Sequence, residues 1–391
     1  MSTQAKFPDF VRAVSTSSGF KRSGRRDMAL FRIEGAEAIG VFTENSMRSS
    51  NIDWSKTAIK NFRRNSSNRN EKYMLVLSGN ANACTGRRGI ESIVKASLEL
   101  YGSAEEALKE GFMFFTTGVI GVPIDDEKLI RGVRILKEKL DKGESDDPKS
   151  IFQAISTTDR FEKVFYSHEP ELLAIAKGAG MIAPSMATML SFAFLNAYPR
   201  GFSPYPIFKK IVEKTFNSIV VDGDTSTNDA VVLFYRKPST DAEPVSREKF
   251  ERLLYEAFEY LAEKIVRDGE GASIVARVVA FAPSQKEARS ISKVVASSLL
   301  FKAALAGRDP NWGRIAAAVG NSGLKLSPKD ISIYVNSVPV FLKGEPTGEA
   351  VSIEGEEVDV KIVFKKEKRK WIYKTCDIGV PYIEFNSRYT T

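Results

Sequence analysis

With 391 residues, 43% of them hydrophobic and 27% charged, the chain can bury a large core in two domains or in two halves sharing one core, and no apolar run approaches the roughly 18 to 20 residues of a membrane span. Two cysteines and one histidine, His168, are too few for the usual Cys/His zinc frameworks and leave a single residue to act as base in any Ser-His-Asp or Cys-His centre. The net charge of +8 comes from 57 basic against 49 acidic residues, a mild excess that suits anionic small substrates as well as nucleic acid.

The N-terminal stretch is basic but lacks the apolar core of a secretory signal, so the expected location is the cytoplasm. Short β-rich runs, MALFRIE, IGVFTEN and YMLVLSG, alternate with turn residues before helical spacing takes over in GIESIVKASLELYG and SAEEALKEG. A helix is predicted from Asp126 to Leu140, followed by a charged surface loop from Asp141 to Ser150. A long helix covers SREKFERLLYEAFEYLAEKIVRDGEG, with Ser246 as its N-cap and Gly269 or Gly271 as its stop. Strand signals resume at ASIVARVVAFA, and a further helix spans EARSISKVVASSLLFKAALAG. ISIYVN, PVFLKG, VDVKIVFKK and KWIYKTCDIG then read as strands suited to hairpins. The densest basic stretch, Lys365, Lys366, Lys368, Arg369 and Lys370, has no aromatic platform and reads as a solvated hairpin tip, so no nucleic-acid partner is expected. The pattern is that of an α/β (α+β) protein with layers of helices over mixed or antiparallel sheets. No GxGxxG opens a helix after the first strand and no P-loop occurs, which argues against nucleotide-binding folds of those kinds.

Residues 174–190, AIAKGAGMIAPSMATML, have an unusual composition for a loop, being rich in Gly, Ala, Met and Pro with Lys177 as the only charge. Gly178 and Gly180 permit close approach or positive φ, Pro184 blocks a regular helix, and Ala187-Thr188 runs into the apolar MLSFAFL. A buried, irregular backbone must find partners for its polar groups, a cost met more often at functional sites than elsewhere. Composition alone leaves open a tight structural connection whose lysine snorkels to solvent.

KGAGMIAPSMATML resembles the signature of the ornithine acetyltransferase family. The likeness extends along the chain: GVFTENS at 40–46, SGNANACTG at 78–86, TTGVIG at 116–121, STTD at 156–159, DGDTSTND at 222–229, DGEGAS at 268–273, FKAALAGRDPNWGRIAAAVG at 301–320 and the terminal FNSRYTT. It departs from the family pattern at MRSSNIDWSK, 47–56, and at SFAFLNAYPRGF after ATML, where Phe192 to Tyr198 are strongly apolar. The second departure bears on acyl-donor specificity more than on cleavage, because Lys177, Ala187 and Thr188 all stand.

The resemblance implies the layered fold of that family, shared with DmpA-like proteins, in two interlocked domains, and a precursor that cuts its own Ala187-Thr188 bond. An α chain of residues 1–187 and a β chain of 188–391 would result, in an α2β2 heterotetramer. Thr188 would be the nucleophile, and its freed α-amino group, a type that ordinarily titrates at about 7.7 to 8.0, would serve as base. Thr117 and Gly118 would form the oxyanion hole, and Thr157, Lys177, Thr188, Glu270, Asn386 and Thr391 would bind substrate. The implied reaction moves acetyl from N2-acetylornithine to L-glutamate by a ping-pong cycle without cofactor or metal; the apolar Met181, Ile182, Met186 and Met189 suit the exclusion of water from the ester, and plain core packing explains each of these methionines singly just as well. Acetyl-CoA as a second donor, an N-terminal-nucleophile amidase and an uncleaved binding protein are the rival readings.

Overall fold

The structure is a computed structural model, and it describes residues 5–64, 71–183, 189–239 and 242–388. The chain opens with β1 (Val11–Thr16), β2 (Met28–Glu34), β3 (Ala36–Phe42), α1 (Ser50–Arg64), β4 (Glu71–Asn80), α2 (Arg87–Tyr101), α3 (Ala104–Glu110) and β5 (Met113–Val119). Then come α4 (Asp126–Asp141), α5 (Pro148–Ile155), β6 (Val164–His168), β7 (Glu171–Lys177), β8 (Leu190–Leu195), β9 (Ala197–Pro199), α6 (Pro204–Lys214) and β10 (Ile219–Val220). β11 (Ala230–Arg236), β12 (Glu243–Val245), α7 (Arg247–Arg267), β13 (Val275–Ala282), α8 (Gln285–Ala296), α9 (Leu299–Ala306) and α10 (Trp312–Gly320) follow. The chain closes with β14 (Ile331–Val335), β15 (Val338–Leu342), β16 (Glu345–Pro346), β17 (Glu357–Phe364), β18 (Arg369–Cys376) and α11 (Val380–Arg388).

Two sheets pack face to face. The first has the order β1-β2-β4-β5 and the second β3-β11-β8-β7-β6. Phe31, Met74 and Phe115 of the first interdigitate with Leu173, Phe192, Phe194 and Phe234 of the second. On the outer side of the first sheet, Leu30, Leu75 and Leu77 bury against Ile93 of α2 and Leu129, Val133 and Leu136 of α4. On the outer side of the second, Ala193, Leu195 and Leu233 bury against Phe208 of α6 and Leu254, Phe258 and Leu261 of α7. The result is a helix–sheet–sheet–helix stack. It also explains why SFAFL lacks polar alternation: β8 is central, covered on both faces, and all six of its residues are buried. The third sheet, β10-β18-β13-β17-β14-β15-β16, packs one face on α8, α9 and α10.

The second sheet ties distant parts of the chain together. Its β3, β6 and β7 precede residues 184–188, whereas β8 and β11 follow them. β7 and β8 are antiparallel neighbours with Lys177 opposite Leu190, so residues 178–189 join two adjacent strand ends.

Ser246 caps α7 as expected, its hydroxyl accepting the Lys249 amide at 3.3 Å. Three expectations are corrected. The loop predicted over 141–150 is shorter, because Asp147 accepts the Ser150 amide at 2.9 Å and Pro148 starts α5. The single helix predicted over EARSISKVVASSLLFKAALAG is two helices, α8 and α9, because the Ser298 hydroxyl accepts the Phe301 amide and begins a new one. The basic run at 365–370 is solvated but is no hairpin tip: β13 lies between β17 and β18 and takes hydrogen bonds from both, so the turn crosses the end of β13.

Phe194 stacks on Phe234 at 5.3 Å between ring centroids and on Phe31 at 5.7 Å, at the centre of the sheet interface. Truncating a buried Phe leaves a cavity that rigid strands cannot close, so Phe194→Ala is expected to cost about 3 to 5 kcal/mol. Urea unfolding checks this, and an unchanged midpoint would contradict the packing described.

Candidate active site

β4 and β5 run parallel and end side by side, which brings SGNANACTG against TTGVIG. Gly118 has φ of 134°, and a Cβ there would overlap the backbone of Gly79 and Asn80, so only glycine lets the strands approach so closely. Amide side chains knit the adjoining loops: Asn228 Nδ2 donates to Ala81 O at 2.6 Å and to Thr116 Oγ1 at 2.8 Å, and Asn82 Nδ2 donates to Asn51 Oδ1 at 2.6 Å. Thr117, next along β5, is buried, and its Oγ1 accepts a hydrogen bond from Lys177 Nζ at 3.1 Å.

The backbone leaving β7 is irregular and largely buried, and three aspartates accept its amides. Asp159 Oδ1 takes Gly178 N at 2.7 Å. Asp222 takes Met181 N at 2.5 Å and Ile182 N at 2.8 Å. On the far side, where β8 begins, Asp229 Oδ1 takes Met189 N at 2.9 Å. Ala187 and Thr188 lie outside the described residues, as do Met186 and Thr391. Thr188 is the covalent neighbour of Met189, so the Asp229 bond anchors the chain one residue beyond it. Of the expected apolar shield, Ile182 and Met189 are buried; Met181 is not, since at φ 58° the chain turns its side chain to solvent with 38% exposed.

Burial dominates the electrostatics. It pulls the Lys177 ammonium below the usual lysine range in spite of the attraction of Asp159. It pushes Asp229 well above the usual carboxyl range, against the Met189 amide, Ser226 and Lys177. Asp229 Oδ2 has no hydrogen-bond partner among the described residues. At Asp159 burial also acts upward, but Lys163, Lys177 and the Gly178 amide together outweigh it and hold the carboxylate at about 2.

Glu270, just beyond α7, completes one side. Its amide donates to Ala179 O at 3.0 Å, and its carboxylate accepts Thr158 Oγ1 at 2.8 Å and Asn386 Nδ2 at 3.2 Å. Gly180 faces that carboxylate so closely that a Cβ would overlap it. Thr157 is held by its amide, which donates to Asp159 Oδ2 at 3.0 Å. Hydrogen bonds thus join Thr117 to Lys177, join Thr157 through Asp159 to Gly178 beside Lys177, and join Glu270 to Thr158 and Asn386, so chain neighbours bring the three groups together. His168 sits at the opposite end of β7, roughly 20 Å along the strand from Lys177. Sequence reasoning missed Asp159, Asp222, Asp229, Lys163 and Asp268. The four aspartates stood in the blocks STTD, DGDTSTND and DGEGAS, where loop ends need acceptors for amides, whereas Lys163 lay outside every block.

What this arrangement can do chemically is bind an oxyanion at Thr117 and Gly118, hold a buried cation beside it, and present a carboxylate to an amine. A family model described as the ArgJ family matches residues 12–391. The chain is 37% identical over 386 residues to the arginine biosynthesis bifunctional protein ArgJ of Aquifex aeolicus, covering 96% of this chain and 98% of that one. It is 37% identical over 383 residues to the protein of the same name from Archaeoglobus fulgidus, covering 95% and 96%. Among solved structures, the arginine biosynthesis bifunctional protein of Bacillus halodurans aligns with 52% of this chain and 100% of its own at 32% identity and a TM-score of 0.47. The ornithine acetyltransferase of Mycobacterium tuberculosis complexed with ornithine aligns with 46% and 93% at 26% identity and a TM-score of 0.35.

Asp159 gives the site an acid limit. Its carboxylate lies at about 2 in the folded chain, below the roughly 3.9 of an unfolded aspartate. Its contribution, on the order of 2 kcal/mol, is therefore fully present above about pH 4 and is lost as the pH falls through 2. Asp159→Asn is expected to lower stability at neutral pH and to flatten the decline between about pH 4 and 2. Urea unfolding across pH measures this, and an acid limb identical to the parent's would contradict it.

Proposed function

The chain belongs to the ArgJ family, and from that premise we propose that it cuts its own Ala187-Thr188 bond and then carries acetyl from N2-acetylornithine to L-glutamate on the Thr188 hydroxyl. It is an enzyme of arginine biosynthesis and an acyltransferase. The observation that carries the finer reading is the pairing of two anchors at one place. Asp229 fixes the backbone immediately after Thr188, and the Lys177 ammonium donates to Thr117 in the strand end beside it.

In the cutting step the Thr188 hydroxyl attacks the Ala187 carbonyl carbon. The C–O bond forms, the C–N bond breaks, and the hydroxyl proton ends on the departing nitrogen. Water then hydrolyses the ester, releasing residues 1–187 with a new carboxylate and 188–391 with a free threonine amine. An α-amine ordinarily titrates at about 7.7 to 8.0, so this one can be the base that a distant His168 cannot be. Acetylornithine acylates Thr188 and ornithine leaves with the proton; the glutamate amine takes the acetyl group and the hydroxyl is restored.

The surroundings suit these steps. Because Thr117 Oγ1 accepts from Lys177, its own proton is free to point at the tetrahedral oxygen, alongside the Gly118 amide. An ammonium has three donors, and those not given to Thr117 suit a substrate α-carboxylate together with Thr157. Glu270, already a double acceptor beside Asn386, suits the ornithine side-chain ammonium. Thr391 belongs to the same reading by resemblance. The relatives' printed name, bifunctional, favours a second reaction, with acetyl-CoA as an additional donor, which steady-state assays with each donor decide. The working form on this reading is a cytoplasmic α2β2 assembly of the cut chains without a cofactor. Among the described residues no helix is long and apolar enough to cross a membrane.

Sequencing of the mature protein is expected to show a second start at Thr-Met-Leu. Thr188→Ala is expected to run as one band of 43.3 kDa and to exchange no acetyl groups. A Thr188→Ala protein that still transfers acetyl would remove the mechanism.

A further inference from the structure

Lys163, at the foot of β6, is a lysine with no surface: its side chain and those of Asp159 and Asp268 are all 0% exposed. Its Nζ lies 2.6 Å from Asp159 Oδ1 and 2.5 Å from Asp268 Oδ2. Each carboxylate then reaches outward to backbone. Asp159 accepts the amides of Gly178 and Thr157, at 2.7 and 3.0 Å. Asp268, at the end of α7, accepts Arg160 N and Arg160 Nε, both at 3.0 Å. Asp268 stands two residues before Glu270, and Gly178 directly follows Lys177. Four chain segments, 156–160, the foot of β6, 177–179 and 268–270, therefore meet on one ammonium.

A charged trio at this depth is a poor source of stability, since well-packed apolar residues of similar volume are often as good or better. What it supplies is direction, because carboxylates with two partners fix angles that aliphatic packing does not. We propose that Lys163 is a positioning residue: by joining Asp159 to Asp268 it sets the spacing of Thr157, Lys177 and Glu270, and substrate binding depends on that spacing. The inference rests on the functional reading given above. It predicts a split, because Lys163 is removed from the acyl chemistry at Thr188 and acts through Asp159 and Asp268 on the segments that carry Thr157, Lys177 and Glu270. Loss of the trio's order raises KM while the acyl-transfer step, once substrate is bound, proceeds near its former rate.

The test uses the full chain after self-cleavage. Asp268→Asn keeps the side-chain shape and leaves Lys163 paired with Asp159, whereas Lys163→Met removes the ammonium. Phe194→Leu, which loosens the sheet interface away from the site, is the control for general weakening. Intact mass first establishes cutting, and kcat and KM are then measured for acetylornithine and glutamate. Asp268→Asn is expected to raise KM by about tenfold or more with kcat within about threefold of the parent, Lys163→Met to raise it further, and Phe194→Leu to leave KM in place. Should Lys163→Met fail to fold, Asp268→Asn decides alone. A folded, cut Asp268→Asn protein with the parent's KM overturns the inference, as does a fall in kcat at constant KM. If the parent itself neither cuts nor transfers, it is the functional reading that falls, a result seen before any variant is made.

Discussion

A stretch of irregular backbone cannot be buried unless something accepts its amide protons, and the chain leaving β7, residues 178–183, is largely such a stretch. Helix and strand satisfy their own N–H groups; residues 178–183 and Met189 lie outside the strands β7 and β8. Carboxylates take the place of the ladder, with Asp159 on the amide of Gly178, Asp222 on those of Met181 and Ile182, and Asp229 on that of Met189. Asp159 follows α5, whereas Asp222 and Asp229 share the loop between β10 and β11, so two segments far apart in sequence hold the connection. An unsatisfied buried amide costs about 1 to 3 kcal/mol, which makes the set of acceptors a condition of the fold and not an ornament on it.

The same arrangement makes a break in this connection tolerable. β7 pairs with β8 over six residue pairs, β11 pairs with β3 over seven, and these ladders join strands from before and after residues 184–188. The cores on the two faces of the second sheet also draw side chains from both parts. Neither ladder includes any residue between 184 and 188, so the cut proposed at Ala187-Thr188 would remove none of these pairs. Lys177 belongs to the β7–β8 ladder, and Thr117 and Gly118 belong to the β4–β5 ladder of the first sheet, both made of strands outside residues 184–188.

Much of this could be read before any coordinates. The Ser246-capped helix, the β-rich start and the apolar core strand after ATML follow from spacing and cap chemistry that act locally. The strand order of the third sheet does not: β13 separates β17 from β18 because of hydrogen-bonding choices made across the whole sheet, and nothing in VDVKIVFKK or KWIYKTCDIG announces it. The break between α8 and α9 was written as Ser297-Ser298, but a serine within a helical pattern marks a cap only once the Phe301 amide turns to it. In the site, Lys177, Thr117 and Glu270 were found through the resemblance. Asp159, Asp229 and Lys163 were overlooked because, one residue at a time, an Asp or Lys at a loop end is what a solvated surface also looks like.

The proposed chemistry turns on an acetyl group held by one hydroxyl. Incubating the cut protein with isotopically labelled acetylornithine in the absence of glutamate, quenching in acid and weighing the fragments is the direct measurement. The fragment of residues 188–391 is predicted to gain one labelled acetyl group, mapped to its first residue, and to lose it when glutamate is added. Full exchange activity with no acetylated fragment at any time would mean that the group passes directly between the two amino acids, and the covalent route through Thr188 would be wrong.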